Sequence, residues 1–246
     1  MMVFWTAFCM CVSMFTVLPA PRAAWNDELT PLRTACLPLV GLLIGALWLG
    51  VAYLARWLLP HALSSAVIAA VPMALTGCMH IDGFMDTADA LMSWRDREEK
   101  LRILKDVHAG SFAVILVALA LMFQFAACMS ADKLFSLLLI PVISRVGSAW
   151  CVLRLPALGH SQYAQNEQKR VSKSLSYIVA GVGALALLLM LIFGGWRSLL
   201  TGAATAAGYA FAMWRCVKAL GGVSGDLAGF SLVIAELCGL IVLAIV

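Results

Sequence analysis

The run AGSFAVILVALALMFQFAACM, residues 109–129, contains no charged side chain. About 20 such residues cross the hydrocarbon core of a bilayer as one α-helix. Comparable apolar runs lie near residues 3–19, 35–59, 63–79, 134–153, 177–194, 198–214 and 227–246. Unbroken apolar runs suit helices, because a helix satisfies its own backbone hydrogen bonds in lipid. The sequence therefore predicts an all-α, polytopic integral membrane helix bundle with about seven or eight membrane segments. The number depends on whether run 3–19 spans or lies in the interface.

Composition supports this class of protein. The 246 residues are 63% hydrophobic and only 12% charged, whereas soluble domains are about 45–50% apolar and about 25% charged. We expect one membrane-embedded domain covering residues 1–246 and no cleavable signal peptide, because run 3–19 lacks a basic start and an A-x-A site. No basic stripe interleaved with aromatic residues indicates nucleic-acid binding. The eight cysteines form no C-x-x-C pair and are interpreted as apolar packing residues.

The charges of the connecting segments predict which side each segment faces. Segments 20–34, 80–108, 154–176 and 215–226 hold thirteen of the seventeen basic residues, and the opposite side holds three. By the positive-inside rule the first group is cytoplasmic, in a cell (inner) membrane. Those thirteen residues are Arg22, Arg33, Arg95, Arg97, Lys100, Arg102, Lys105, Arg154, Lys169, Arg170, Lys173, Arg215 and Lys218.

The stretch HIDGFMDTADAL, residues 80–91, carries three carboxylates, Asp82, Asp86 and Asp89, at spacings of four and three. On a helix this spacing places all three on one face. Like charges on one face repel each other unless a cation joins them, and hard oxygen ligands favour Mg²⁺, Mn²⁺ or Ca²⁺. The alternative is a solvated acidic surface. His80 would point away from the triad on such a helix, as a general base or as a simple interfacial histidine.

A short cytoplasmic surface helix is predicted after this stretch. Ser93 followed by Asp96 is typical of a helix start. Trp94, Leu101 and Leu104 would form its apolar stripe, which favours an amphipathic helix on the membrane surface.

A second polar cluster, Lys105, Asp106, His108 and Gly110, precedes the run 109–129. A hairpin-like excursion of the chain would bring it next to the aspartates. Lys105 and His108 could then bind phosphate, and Gly110 would allow close approach of the backbone. For Lys105 the alternative is a snorkelling side chain at a helix end.

Two charges lie within apolar runs. Arg145 follows Ser144 in run 134–153, and Glu236 lies in run 227–246. A buried charge is costly in a membrane, so Arg145 should face a phosphate, a carboxylate or a polar cavity. A structural pair with Glu236 is one interpretation. Asp226, after Gly225, either caps the last helix or belongs to the site.

Taken together, these motifs resemble the cobalamin synthase family, also called adenosylcobinamide-GDP ribazoletransferase. The family's first motif looks like T-G-G-x-H-x-D-G-x-x-D-T-x-D-G, and its second like K-D-S-R/H-x-G-x-x-G. Positions 76–90 and 105–113 match them, with Cys78, Ala90, Val107 and Ala113 as departures. An S-R pair, a late G-D with an acidic helix and an early P-x-P match as well. The matching positions are Ser144, Arg145, Gly225, Asp226, Glu236, Pro19 and Pro21.

The resemblance implies assembly of the cobalamin nucleotide loop. Adenosylcobinamide-GDP and α-ribazole, or its 5′-phosphate, would give adenosylcobalamin, or its phosphate, and GMP. It implies an Mg²⁺-dependent phosphotransferase working at the membrane lipid, with a homo-oligomer left open. Metal ligands would be Asp82, Asp86 and Asp89. Catalytic residues would be His80, Asp82, Asp106 and Arg145, and substrate-binding residues Lys105, His108, Gly110, Ser144, Asp226 and Glu236.

Two other classes of protein fit part of the pattern. A CDP-alcohol phosphotransferase also uses aspartates at the membrane surface, but it usually shows D-G-x-x-A-R, and here Asp86 comes three residues after Gly83. An ion-coupled transporter would favour charges near the middle of its spans and broken paired helices. Most acids of this chain lie instead in predicted cytoplasmic segments.

Overall fold

The structure, a computed structural model, describes residues 2–21, 25–159 and 173–246. Arg22, Lys169 and Arg170, three of the predicted cytoplasmic charges, lie outside the described residues. Short 3₁₀ turns cover Asp27–Leu29 and Leu134–Leu138. The described α-helices are α1 Met2–Phe15, α2 Thr30–Ala35, α3 Leu37–Leu58, α4 His61–Leu75, α5 Met79–Met92, α6 Arg97–Ile103, α7 Ser111–Ser130, α8 Ile140–Arg154, α9 Lys173–Leu220 and α10 Gly225–Ile245.

The prediction of an all-α polytopic membrane bundle is confirmed, with a lower number of spans. Five helical segments are long and apolar enough to cross a membrane, and a sixth is added if the bent pair α4–α5 counts as one span. The five are Leu37–Leu58, Ser111–Ser130, Leu134–Arg154, Ser174–Leu220 and Gly225–Ile245. The predicted seven or eight exceeds this number for two reasons. Helix α1 has only 14 residues, and runs 177–194 and 198–214 belong to one helix, α9.

Helix α9 is broken at Gly195, whose backbone (φ 71, ψ −170) is not helical. A straight helix of this length would measure about 70 Å, more than twice the hydrocarbon thickness of about 30 Å. The two arms fold back on each other, because Gly202 of the second arm lies against Met190 and Leu187 of the first. The two predicted segments therefore form a hairpin without an intervening loop.

Helix α10 packs against α5, α7, α8 and α9. Phe84 of α5 stacks on Phe230 of α10 with ring centroids 5.2 Å apart, and side chains of α9 join the same apolar cluster. Buried apolar side chains from these three helices form one continuous cluster, which includes Tyr209, Leu220 and Leu227. This packing fixes the position of α5, which carries the aspartate motif.

A bend of 88° separates α4 from α5. Gly77 (φ 59) and Cys78 (φ 61) both adopt left-handed backbone conformations at this bend. The prediction that Asp82, Asp86 and Asp89 lie on one helix is confirmed, because α5 contains all three. The bend directs α5 out of the line of α4.

The surface helix exists, but it begins later than predicted. Asp96 is the N-cap, and its side chain accepts the backbone N–H of Glu99 at 2.9 Å. Ser93 instead ends α5. The predicted apolar stripe is wrong at Trp94, which precedes α6, has a φ of 54 and is 89% exposed. Arg97 ties α6 to the bundle, because its Nε donates to the carbonyl of Leu220 at 2.9 Å.

Candidate active site

Three carboxylates meet where α5 crosses the start of α10. Asp82 and Asp226 are exposed and Asp86 is partly buried, and Asp86 lies within electrostatic reach of the other two. The crossing is close: a Cβ on Gly83 would lie 2.9 Å from the Cα of Asp226. Ser224, not Asp226, caps α10, since its side chain accepts the N–H of Leu227. Asp226 lies in the first turn, where the helix dipole favours a carboxylate.

Asp89 has a different position from the other two acids of its motif. Its carboxylate accepts the backbone N–H groups of Gly110 and Ala113, the latter at 2.9 Å, and it is only 7% exposed. It therefore caps the first turn of α7, with both oxygens engaged. Of the three predicted metal ligands, Asp82 and Asp86 thus lie at the crossing with α10, whereas Asp89 is engaged by the start of α7. The predicted excursion that brings the two motifs together is confirmed by the same hydrogen bonds.

The loop between α6 and α7 carries the second motif on the surface. Asp106 accepts the backbone N–H of His108 at 3.0 Å and lies 2.8 Å from its ring Nδ1. These hydrogen bonds from His108 hold the pKa of Asp106 below its ordinary value, so this carboxylate is ionised at neutral pH. Lys105 is exposed beside it. Val107, where the family has serine, is 92% exposed and contributes no hydroxyl.

Arg145 is buried in an ion pair. Its Nη1 donates to Oε1 of Glu236 at 2.7 Å, and the hydroxyl of Ser144 donates to the same oxygen at 2.9 Å. Arg145 is 1% exposed. The partner of Arg145 is therefore Glu236, as in the structural pair that the sequence analysis gave as one interpretation. Ser144 and Glu236, predicted to bind substrate, both contact Arg145, and the buried Nη2 of Arg145 has no hydrogen-bond partner.

His80 lies near Arg145 and away from the triad, as its spacing predicted. Its backbone packs closely against Gly229 of α10. A Cβ added at that glycine would lie 3.5 Å from the Cα and from the carbonyl oxygen of His80. The ring Nε2 is buried and has no hydrogen-bond partner. His80 and Arg145 are thus neighbours, and each has a buried nitrogen without a hydrogen-bond partner: Nε2 of His80 and Nη2 of Arg145.

Two cavities share His80 and Arg145. The larger, about 240 Å³, reaches Asp226 and is lined mainly by apolar side chains. The smaller, about 20 Å³, also touches Glu236 and Gln124. A third cavity of about 800 Å³ lies at the opposite end of the bundle, beside Lys133 and Arg197. It contains no predicted site residue, so its size alone does not make it the active site.

The described side chains do not form a ready metal cage. Within the described ranges, no group of three or more His, Cys, Asp or Glu residues is arranged to hold a metal ion. Mg²⁺ usually keeps several waters and binds one or two carboxylates together with substrate phosphates. Asp82 and Asp86, with Asp226 nearby, fit that mode of binding, whereas Asp89 does not.

Sequence reasoning gave no role to three polar residues near the site. Gln124 donates to the carbonyl of Ala69 at 2.7 Å and lines the smaller cavity. Ser148, three residues after Arg145, lines the larger one. Thr87 has a buried hydroxyl without a partner. A glutamine inside an apolar run and a serine one helical turn from a buried arginine are signals that could have found the first two.

The fold and site define a polytopic membrane protein with a carboxylate-rich site at one end of its helix bundle. The sequence model of the cobalamin-5-phosphate synthase family matches residues 7–244. The chain therefore belongs to the cobalamin-5-phosphate synthase family.

Curated relatives agree with this assignment, and each is named adenosylcobinamide-GDP ribazoletransferase. The protein of Clostridium perfringens is 37% identical over 251 residues, covering all of both chains. That of Clostridium botulinum is 35% identical and covers 94% of each chain. That of Geobacillus thermodenitrificans is 31% identical, over 92% of this chain and 90% of its own. No solved structure matches the chain.

Proposed function

We propose that this protein is the transferase that closes the nucleotide loop of cobalamin. It transfers the adenosylcobinamide phosphate of adenosylcobinamide-GDP to α-ribazole or α-ribazole 5′-phosphate. The products are adenosylcobalamin, or its 5′-phosphate, and GMP. Support comes from the family match over residues 7–244 and from relatives that bear this enzyme name over the whole chain.

One structural observation carries the proposal. The hydrogen bonds from Gly110 and Ala113 to Asp89 bring the loop of Lys105 and His108 to the helix that bears Asp82 and Asp86. Carboxylates and exposed cationic groups thus flank one end of the bundle. Phosphoryl transfer uses this combination, because positioning and charge stabilisation supply most of its catalysis.

In the reaction one P–O bond forms and one P–O bond breaks. The ribazole 3′-hydroxyl oxygen attacks the phosphorus attached to cobinamide, and the bond from that phosphorus to the oxygen of the GMP phosphate breaks. The attacking hydroxyl loses its proton to a base, for which Asp82 and Asp106 are the candidates at the surface. The GMP oxygen keeps the electron pair of the broken bond.

Lys105 and His108 of the exposed loop would bind the diphosphate. Lys105 contributes a point charge, and His108, oriented by Asp106, contributes a hydrogen-bond donor. We assign Asp82 and Asp86 to Mg²⁺, which when bound would offset the charge on phosphate oxygens. Arg145 is too deeply buried, and too firmly paired with Glu236, to serve as the main phosphate clamp.

We further propose that the site faces the cytoplasm from the inner membrane. The argument is the excess of Lys and Arg in segments 20–34, 80–108, 154–176 and 215–226. A nucleotide-activated substrate made in the cytoplasm would then reach the site without crossing the membrane.

The test is GMP release by the purified protein from adenosylcobinamide-GDP and α-ribazole, with and without Mg²⁺. We expect Asp82→Asn to lower kcat/KM at least about a hundredfold, a loss typical of a missing charge-stabilising group. Asp132→Asn, an exposed acid at the opposite end of the bundle, is the matched control and should keep its activity. Wild-type protein that releases no GMP, or that instead releases CMP from a CDP-alcohol, would refute the proposal.

A further inference from the structure

We propose that the cavity of about 240 Å³ binds the aromatic base of the incoming ribazole nucleoside. The inference rests on the proposed function and adds to it the part of the substrate that enters the bundle. It also assigns Arg145 and His80 to recognition of that base, because each has a buried nitrogen without a hydrogen-bond partner.

The walls of the cavity are mostly apolar. Met79 of α5 and Leu37 of α3 face it, together with Leu232 of α10. Its polar lining consists of His80, Arg145, Ser148 and Asp226. Ligand sites commonly combine such an apolar lining with a few polar groups that fix orientation.

The two unpaired nitrogens call for a partner. Nη2 of Arg145 and Nε2 of His80 are buried and make no hydrogen bond, although Nη1 of the same arginine is fully engaged. Buried polar groups are nearly always satisfied in native proteins. Arg145 is always protonated and can only donate. A ligand that offers a hydrogen-bond acceptor in this apolar space would satisfy it.

The volume selects among the parts of the two substrates. Pockets for drug-sized ligands measure about 300–1,000 Å³, so a smaller one suits a fragment such as a single bicyclic ring system. The corrin macrocycle is too large. Ribose and phosphate are too polar for these walls. A benzimidazole base is apolar over its carbocyclic ring, and its one free ring nitrogen is a hydrogen-bond acceptor.

The position of the cavity agrees with this occupant. It extends from Asp226, beside Asp82 and Asp86, to Arg145, the buried partner of Glu236. A base held at the deep end leaves its ribose at the carboxylate end, where the attacking hydroxyl must lose its proton. Guanine is the rival occupant, because Asp226 could accept its N–H groups.

Two variants alter the cavity without touching the proposed catalytic groups. Ser148→Leu fills the cavity from α8, and Met79→Ala enlarges it from α5, where Met79 is 38% exposed. Ser130→Leu is the matched control, at an exposed position at the far end of α7.

The measurement is the KM of each substrate in the GMP-release assay. We expect Ser148→Leu to raise the KM for α-ribazole at least about tenfold, in line with the effect of a few methylene groups in an apolar pocket. The KM for adenosylcobinamide-GDP should stay within about twofold, and Ser130→Leu should change neither. A rise for adenosylcobinamide-GDP alone would place guanine in the cavity, and a change in neither would overturn the proposal.

Two analogues test shape and hydrogen bonding separately. Met79→Ala should raise kcat/KM for a naphthimidazole riboside relative to α-ribazole at least about fivefold, because the larger base gains space. An indole riboside, which lacks the acceptor nitrogen, should bind wild type at least about tenfold more weakly than α-ribazole, since the buried Nη2 donor of Arg145 then stays unpaired. If the indole riboside and α-ribazole bind wild type equally well, the role of Arg145 and His80 is overturned.

Failure of the proposed function is distinguishable from failure of this inference. If wild type releases no GMP, the proposed function fails. Calorimetric binding of α-ribazole to wild type and to Ser148→Leu then tests the cavity by itself. If GMP is released and the variants leave both KM values unchanged, the proposed function stands and the cavity has no part in base recognition.

Discussion

Nη1 of Arg145 and Oε1 of Glu236 lie 2.7 Å apart in the interior of the bundle and join α8 to α10. The exposed fractions of the two side chains are 1% and 11%, so water screens the pair very little. A second carboxylate–guanidinium pair, Arg102 with Glu99, is 3.7 Å apart, and its side chains are 83% and 44% exposed. The two pairs should therefore contribute very differently to stability.

Arg145→Met should lower the free energy of unfolding by about 3–5 kcal/mol, because it leaves the Glu236 carboxylate buried without a partner. Adding Glu236→Gln should recover part of that loss. Arg102→Met is the control and should cost at most about 1 kcal/mol. Thermal melting in detergent of the single and double variants gives the comparison. A double variant that melts no higher than Arg145→Met would show that the pair is not the source of the loss.

Asp89→Asn and Asp82→Asn should have opposite consequences. The Asp89 carboxylate caps α7, so its loss should destabilise the protein by about 1–2 kcal/mol. Asp82 is exposed, and its loss should leave the melting temperature nearly unchanged while turnover falls. Melting and GMP release are measured on both proteins. Equal melting of the two variants would argue against the capping role.

Cys78→Gly should stabilise the protein. Cys78 has a φ of 61, a left-handed conformation that costs a residue with a Cβ about 1–2 kcal/mol and glycine almost nothing. We expect a net gain of about 1 kcal/mol, or a melting temperature higher by about 2–4 °C. Cys238→Gly, within regular helix α10, is the control and should lose about 1 kcal/mol. A lower melting temperature for Cys78→Gly would contradict the expected strain.

Labelling of single cysteines tests the orientation in the membrane. In a background without native cysteines, Val107→Cys should react only after the membrane is made permeable, because the α6–α7 loop is assigned to the cytoplasm. Ser130→Cys should react from outside intact cells. Both positions are exposed, so access to the reagent depends on the side of the membrane. The reverse pattern would invert the proposed topology.

The sequence predicted the helical membrane class and the meeting of the two polar motifs. Hydropathy and period carry the first, because a run such as 109–129 has only one stable form in lipid. The order of the two polar motifs along the chain, one on each side of a short excursion, predicted that they meet. Two family departures also prove compatible with the fold: Ala90 is fully buried in the apolar cluster, and Ala113 supplies only its backbone N–H to Asp89.

The distribution of roles within a motif was not predictable. Asp82, Asp86 and Asp89 share one helix face, yet Asp89 caps α7 because the chain returns at Gly110, a contact between residues 21 positions apart. Local spacing contains no information on such a tertiary contact. The same holds for Glu236, which lies 91 positions from Arg145. Its role depends on which turns of α8 and α10 face each other.

The break at Gly195 has a consequence for biogenesis. Because the two arms of α9 meet without a loop, we expect them to enter the bilayer together as one hairpin during synthesis. Its tip carries one basic residue, Arg197, against four at the far end of the arms, so we expect the far end to decide its orientation. There Arg215 and Lys218 lie in the last turns of the second arm, and Lys169 and Arg170 precede the first in sequence. Substituting these four charges should disturb insertion of both arms at once.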